Sequence, residues 1–375
     1  MIPSARPVRA IAVAVLASAV VALSCTPAFA DGIRNQQWYL SDLDVAQAHR
    51  ITEGEGVTVA LIDSGVNAGH QDLKGAILVG TNVETGDGGD GRDDGDGHGT
   101  EMAGIIAGRG HGSGDGVLGI APQAKILPIA APTNSLTSSR FMTAAIDFAI
   151  AHHAGVINMS FAFPKGDDAM HAAIQKAAAA NIVLVAGTGN KGKSGGYPAR
   201  YPEVLAVGAY SRDGDIAPFS IGGPQVDIAA PGVDIVTTSN RSADDYFDGG
   251  GTSPATAIVS GAAALLRAKY PSLSAAEIVH RLTATAIDAG PKGRDDSYGF
   301  GRLDIVKALT ASVPPLSSSV EPTEGATGGT SAAGPGDLPT AKSPVLLIGI
   351  GVGVVVLLGL VLIVVLVARG RRRAR

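Results

Sequence analysis

Cysteine is nearly absent from this 375-residue chain, which contains only Cys25. Cys25 lies within the first 30 residues, and these have the pattern of a leader that is cut off after export. The remaining chain would then carry no thiol. Its absence excludes a disulfide framework, a cysteine nucleophile and a thiolate metal site in the body of the protein.

The N-terminal segment has the features of a signal peptide. Arg6 and Arg9 precede an apolar run over residues 10–23, and small residues at Ala28 and Ala30 suit a cleavage site. The run is shorter than the roughly 20 residues that a membrane span needs, which argues against an uncleaved anchor. Lipoprotein processing at Cys25 is a further alternative. We predict a signal peptide over residues 1–30.

The body of the chain has no excess of basic residues. Without the two arginines of the leader and the five at the C-terminus, the chain has 22 basic and 34 acidic residues. A negative balance argues against nucleic acid as the ligand, since phosphate binding needs clustered lysine or arginine.

The C-terminal part differs from the body in composition. Residues 345–368 are uncharged and apolar, long enough for a transmembrane helix, and the five arginines within 369–375 place the C-terminus in the cytoplasm. Residues 313–344 are rich in Pro, Ser, Gly and Thr, which predicts a linker. We therefore expect one extracytoplasmic domain over residues 31–312, held at the cell membrane by a single span.

Apolar runs alternate with helical patterns in this domain. The runs have no polar face, as expected of strands buried in a parallel sheet. They cover residues 57–62, 126–129, 156–159, 182–186 and 204–207. Patterns typical of helices cover residues 141–154, 168–180 and 253–270. The alternation predicts an α/β fold with a mostly parallel central sheet.

Three separate segments supply the side chains that acyl transfer requires. Asp63 directly follows the first predicted strand, His98 stands in the sequence GHGT, and Ser253 stands in GTSPA at the start of a predicted helix. A serine nucleophile needs a base to take its proton and an acid to orient that base. We predict that Ser253, His98 and Asp63 form such a catalytic triad.

The sequences around these residues resemble those of subtilisin-like serine proteases. The order Asp, His, Ser is that of subtilisin, and the sequences TEMAGIIAG after His98 and VSGAAALL after Ser253 are similar to the family's two site helices. The chain departs from the family at Glu101, where a second His is usual, and at Pro254 and Ala257, where Met or Phe and Pro are usual. Proline is tolerated in a first helical turn, so the helix is still expected.

The resemblance implies a fold and further site residues. The fold would be the three-layer subtilisin-like architecture. Asn190, in the sequence AGTGN, matches the family's oxyanion-hole residue. Ser160, Phe161 and Ala162 match the strand with which an extended peptide or protein substrate pairs. Ala162 stands where the family prefers Gly, which adds a methyl group near the substrate path.

Five aspartates among glycines between Asp87 and Asp96 raise the question of a metal site. Calcium binds carboxylate oxygens, but this segment lacks the spacing of a known calcium loop, and a solvated loop is the favoured interpretation. We predict no metal site and no cofactor, with a structural calcium ion as the alternative.

The arrangement of segments resembles that of mycosins, the membrane-anchored proteases of actinobacterial type VII secretion systems. The shared features are the leader, the extension IRNQQWYL before the domain, the Pro-rich linker and the basic tail after the span. The resemblance implies a serine endopeptidase that processes secreted proteins, with the type VII membrane complex as partner. The alternatives are a structural component of that complex with dispensable proteolysis and a general cell-surface protease.

Overall fold

The computed structural model describes residues 32–83, 88–112, 114–131, 139–191 and 195–316. The strands in these ranges are β1 (Thr58–Asp63), β2 (Thr81–Asn82), β3 (Arg109–His111), β4 (Asp115–Leu118), β5 (Lys125–Ala130), β6 (Val156–Met159), β7 (Val183–Gly187), β8 (Leu205–Tyr210), β9 (Ile228–Pro231), β10 (Ile235–Thr238) and β11 (Tyr246–Gly249). The α-helices there are α1 (Ile33–Gln36), α2 (Trp38–Asp42), α3 (Val45–His49), α4 (His98–Ala107), α5 (Ser139–Ala151), α6 (Asp168–Ala179), α7 (Thr252–Lys269), α8 (Ala275–Ala284) and α9 (Ile305–Thr310).

Seven strands form one sheet in the order β2-β5-β1-β6-β7-β8-β9. Each neighbouring pair in it is parallel. The central strands are almost entirely buried and mostly apolar because both faces of the sheet are covered. The predicted α/β fold with a mostly parallel sheet is confirmed, and β1, β6 and β7 are neighbours at its centre.

Two apolar cores flank the sheet. Successive side chains of β1 alternate between them: Val59 and Leu61 pack in one core, and Ala60 and Ile62 in the other. The first core contains residues of α4 and α7, and the second contains residues of α5 and α6. Helices therefore cover both faces, and α4 and α7 share the side on which the site is built.

The five strands and three helices predicted for the domain agree with the structure to within three residues at each end. Among the described residues, no helix is long and apolar enough to cross a membrane. The predicted signal peptide, the span over residues 345–368, the basic tail and nearly all of the predicted linker lie outside the described residues.

The N-terminal residues of the described chain are bound tightly to the domain. Arg34 donates from Nη2 to Asp115 O at 2.8 Å, and Trp38 donates from Nε1 to Val233 O at 3.0 Å. Gln37 exchanges two hydrogen bonds with the backbone of Leu118 at 2.8 and 3.0 Å. We refer to residues 34–39 as the N-terminal strap; its contacts make it part of the folded domain.

Replacing Tyr39 tests this conclusion, because its ring is fully buried. We expect Tyr39→Ala to lower the free energy of unfolding by about 3–5 kcal/mol, the usual cost of deleting a buried aromatic ring. Urea denaturation followed by circular dichroism measures the change. Phe247→Ala is the control, since that ring is 37% exposed. Equal midpoints for Tyr39→Ala and the unmodified protein would show that the strap is dispensable.

Candidate active site

Asp63 and His98 are in direct contact. Asp63 is the last residue of β1, His98 is the first residue of α4, and Asp63 Oδ1 lies 2.7 Å from His98 Nδ1. The carboxylate is buried, with 3% of its side chain exposed, whereas 30% of the imidazole is exposed. Because a carboxylate accepts, the Nδ1 atom carries the proton, and Nε2 of the neutral ring is left to act as a base.

A glycine after His98 permits this contact. A Cβ atom at Gly99 would lie 2.0 Å from the carbonyl oxygen of Gly65 and 3.2 Å from Cβ of Asp63. No side chain fits in that space, so only glycine lets the first turn of α4 approach the end of β1 closely. The second glycine of the sequence GHGT is therefore required because any side chain there would clash.

Asp94 holds the start of α4 and was not singled out by the sequence. Its Oδ1 accepts from the backbone amides of Asp96 and Gly97 at 3.1 and 2.8 Å. Its Oδ2 accepts from both N and Oγ1 of Thr100, at 2.9 and 2.6 Å. An acidic residue just before a helix start is the available signal. The carboxylate of Asp94 thus accepts four hydrogen bonds, which fix the start of the helix that carries His98.

This finding changes the interpretation of the aspartate-rich segment. The oxygens of Asp94 are taken up by protein donors, and Asp90 Oδ1 accepts from the amide of Arg92 at 3.0 Å. The oxygens of Asp94 are therefore not free to bind calcium, because they already accept from protein donors, and the absence of a metal site stays a prediction. In the part of the chain that the structure describes, no three His, Cys, Asp or Glu side chains are grouped to hold a metal ion.

Ser253 lies in the first turn of α7, and Pro254 follows it without interrupting the helix. Its Oγ donates to Ser160 O at 3.0 Å, and Ser160 Oγ donates to Ser253 O at 3.1 Å. Behind this pair, Asn158 Nδ2 donates to Ser160 Oγ, and Ser260 Oγ donates to Asn158 Oδ1, both at 2.9 Å. This buried polar chain fixes α7 against the end of β6.

The structure thus joins Asp63 to His98, whereas the hydroxyl of Ser253 is bonded to Ser160 rather than to His98. A base removes a proton only from a hydroxyl that donates to it. Attack by Ser253 therefore requires its Oγ to leave the Ser160 carbonyl and to donate to Nε2 of His98.

Asn190 adjoins the same helix start. It follows β7, and its Oδ1 accepts from the backbone amide of Thr252 at 2.8 Å. The acceptor end of the amide is thereby fixed on α7, so that Nδ2, the donor end, remains for another acceptor. Asn190 is exposed. Its Nδ2 is thus a donor beside Ser253, as an oxyanion hole requires.

Replacing Asn190 tests its predicted role. We expect Asn190→Ala to lower kcat by about 10²–10³-fold, which is the loss known for the corresponding donor of subtilisin rather than a value obtained from this geometry. Steady-state hydrolysis of a chromogenic peptide measures it. Asn35→Ala, at an exposed position of α1, is the control. A rise in KM with unchanged kcat would contradict the prediction, since it indicates lost ground-state binding.

The predicted substrate strand follows β6 directly. Phe163 exchanges backbone hydrogen bonds with Tyr197 at 2.7 and 2.8 Å, which fixes the end of the segment. Ala162 is exposed and Phe161 half-buried, so this stretch borders solvent beside Ser253. Substrate pairing by Ser160, Phe161 and Ala162 stays a prediction.

Negative charges surround the imidazole. Burial lowers the pKa of His98, but the charge and hydrogen bond of Asp63, with Glu101 and Asp96, outweigh burial and raise that pKa to about 9. Burial also raises the pKa of Glu101 to about 7; His98 opposes this rise, and Asp63, Asp94 and Asp96 add to it. Glu101 is one helical turn from His98. Because its pKa is the lower of the two, Glu101 is ionised at the pH at which His98 loses its proton.

The pH dependence of hydrolysis follows from these charges. The neutral imidazole is the base, so kcat/KM should rise with pH and reach half its maximum near pH 9. Glu101→Gln removes a charge that favours imidazolium, and we expect the midpoint to fall by about 0.3–1 pH unit, equivalent to about 0.4–1.4 kcal/mol. Glu203→Gln, at a glutamate paired with His171, is the control. An unchanged or higher midpoint in Glu101→Gln contradicts this account.

Comparison with known proteins agrees with the geometry. A family model described as "Subtilase family" matches residues 54–301. Subtilisin DY of Bacillus licheniformis is 38% identical over 257 residues, which cover 67% of this chain and 89% of that protein. The MycP3 protease from the type VII (ESX-3) secretion system has 32% identity and a TM-score of 0.65, with 73% of this chain and 88% of that chain covered.

A second solved structure of the same kind is similar over a comparable extent. It is MycP1, described as a serine protease and an essential component of the type VII (ESX-1) secretion system. Its identity to this chain is 32%, its TM-score is 0.66, and the match covers 76% of this chain and 90% of that one.

Proposed function

The chain belongs to the subtilase family of serine endopeptidases, and we propose that it is a membrane-anchored member that processes secreted proteins in type VII secretion. The observation that carries the catalytic part is the 2.7 Å hydrogen bond between Asp63 and His98, together with the contact of Asn190 with the helix start that holds Ser253. The secretion part is supported by the similarity to MycP1 and MycP3.

The four side chains take complementary roles in the proposed mechanism. His98 accepts the proton of Ser253 as Oγ attacks the substrate carbonyl carbon, and Asp63 stabilises the imidazolium that forms. Asn190 Nδ2 donates to the oxygen of the tetrahedral intermediate. His98 then protonates the leaving amine, and water hydrolyses the acyl-enzyme by the same route. Segment 160–162 aligns the substrate main chain.

The proposed layout follows the composition of the termini. Residues 1–30 direct export, residues 31–312 form the extracytoplasmic peptidase, and residues 313–344 link it to the span over 345–368. The basic residues within 369–375 stay in the cytoplasm. Similarity to proteins of secretion complexes also supports a second candidate, a component that stabilises such a complex through contacts independent of hydrolysis.

One experiment separates these roles. Cells that lack the protein are supplied with the full chain, with Ser253→Ala, or with a chain that ends after residue 312. If processing is the main role, Ser253→Ala abolishes cleavage of a secreted substrate. If stabilisation is the main role, Ser253→Ala keeps the membrane complex intact in blue-native gels. The truncated chain should appear in the medium, and its retention in the membrane fraction would contradict anchoring by the C-terminal segment.

A further inference from the structure

Two backbone segments flank the space beside Ser253 and Asn190. One is segment 160–163, which begins at Ser160, the residue bonded to Ser253 at 3.0 and 3.1 Å. The other is segment 187–190, which ends at Asn190. A substrate carbonyl attacked by Ser253, with its oxygen toward Asn190 Nδ2, carries its own side chain into the space between these segments. The width of that space therefore sets which side chain precedes the cleaved bond.

The methyl group of Ala162 occupies this space. A Cβ atom built on Gly189 would lie 3.2 Å from Ala162 Cβ, and one built on Gly196 would lie 2.8 Å from it. With a bond of about 1.5 Å added, both glycine Cα atoms lie within about 5 Å of the methyl carbon. A group inserted between two carbon surfaces needs about 7–8 Å between them. No ring or branched chain fits between Ala162 and either glycine.

The two segments are held at this separation. Phe163 and Tyr197 exchange backbone hydrogen bonds at 2.7 and 2.8 Å, and Ile221 donates its amide to Gly189 O at 3.1 Å. The δ-methyl of Ile221 lies 3.3 Å from the Cβ position of Gly189, on a residue that is 9% exposed. The space cannot widen at Gly189 or Phe163 without the loss of a backbone hydrogen bond, and Ile221 also borders it beside Gly189.

We propose that Ala162 is a specificity-determining residue that restricts the residue before the cleaved bond to Gly, Ala or Ser. A small side chain rests against the exposed side of the Ala162 methyl, whereas a phenylalanine or leucine side chain collides with it. This inference rests on the peptidase activity of the proposed function and does not depend on the role in secretion. It assigns to the protein peptide bonds that follow a small residue.

Covalent labelling of the full-length protein in detergent tests the proposal. N-acyl alanyl and phenylalanyl diphenyl phosphonates form an Oγ–P bond with the nucleophile and release phenol, which carries away the serine proton. A fluorophosphonate without an amino-acid side chain is the reference probe. We expect the alanyl probe to label the unmodified protein at least about tenfold faster than the phenylalanyl probe, within the range that one pocket provides.

The variant Ala162→Gly should reduce or abolish this preference. The phenylalanyl rate should rise at least about tenfold relative to the alanyl rate, and the fluorophosphonate rate serves to normalise both for the reactivity of the variant. Ala151→Gly, the same change at the exposed end of α5, should leave the ratio of the rates unaltered. Rates are read as the mass increase of the intact protein over time.

The outcomes are distinguishable. Fluorophosphonate labelling with equal alanyl and phenylalanyl rates, or a ratio that Ala162→Gly leaves unchanged, overturns the role of Ala162 and leaves the peptidase assignment standing. Folded protein that resists the fluorophosphonate removes the peptidase activity and the inference with it. The ratio for the unmodified protein decides the proposal even where Ala162→Gly is unstable.

Discussion

Ser253→Ala should lower kcat for peptide hydrolysis by about 10⁶-fold, the loss known for the nucleophile of subtilisin rather than a value obtained from this structure. The residual rate would come from Asn190 and from substrate binding, which still favour attack by water. The variant should fold normally, because alanine keeps the helix and removes one hydroxyl that is bonded to Ser160. Burst-phase and steady-state hydrolysis of a chromogenic peptide measure the change.

Ser272→Ala provides the matched control for this variant. Ser272 is exposed and lies just beyond the far end of α7, so the same atom is removed at the opposite end of the helix. Unchanged kcat is expected there. If Ser253→Ala retained more than about one hundredth of the activity, a nucleophile other than Ser253 would be operating.

Asp63→Asn should lower kcat by about 10⁴-fold and leave the fold intact. A decrease of this size is known for the corresponding substitution in serine proteases. The asparagine amide can donate to Nδ1 of His98, and the imidazole proton then resides on Nε2. That nitrogen can no longer accept the proton of Ser253. Because Asp63 orients the base and does not bind substrate, KM should change little.

A second buried pair serves as control for Asp63→Asn. Asp72 Oδ1 lies 2.7 Å from His111 Nδ1, the same contact as between Asp63 and His98. Asp72→Asn makes the same chemical change outside the candidate site, and we expect less than a threefold change in kcat per folded molecule. Similar losses in both variants would mean that structural damage, and not the imidazole tautomer, causes the effect.

The five inner strands of the central sheet were predictable because they are short, mostly apolar runs. Val156–Met159 was predicted at the observed bounds, since a mostly apolar run with a turn on each side leaves little ambiguity. Helices of four or five residues, such as α1 and α3, were missed because they are too short for a periodic pattern. The antiparallel pair β10 and β11 was missed as well, since β11 is not buried and alternates weakly.

For the candidate site, too, some features were predictable from local sequence and others were not. Asp63, His98, Asn190 and Ser253 were predicted as site residues because each stands in a short local motif. Asp94 and the reciprocal bonds between Ser160 and Ser253 were not found, since they depend on where distant segments meet. Ser160 and Ser253 are 93 positions apart in the sequence. Local sequence patterns point to candidate reacting groups, whereas the hydrogen bonds that position these groups are seen only in the tertiary structure.

The N-terminal strap also determines the order in which the domain can be completed. Trp38 donates to the carbonyls of Val233 and Asp234, which follow it by 195 and 196 positions. At a synthesis rate of about 5–20 residues per second, roughly 10–40 s pass before these partners exist. The earliest part of the domain to be made is therefore among the last to reach its final position. Because Trp38 is the only tryptophan of the chain, its fluorescence directly reports the docking of the N-terminal strap onto the domain.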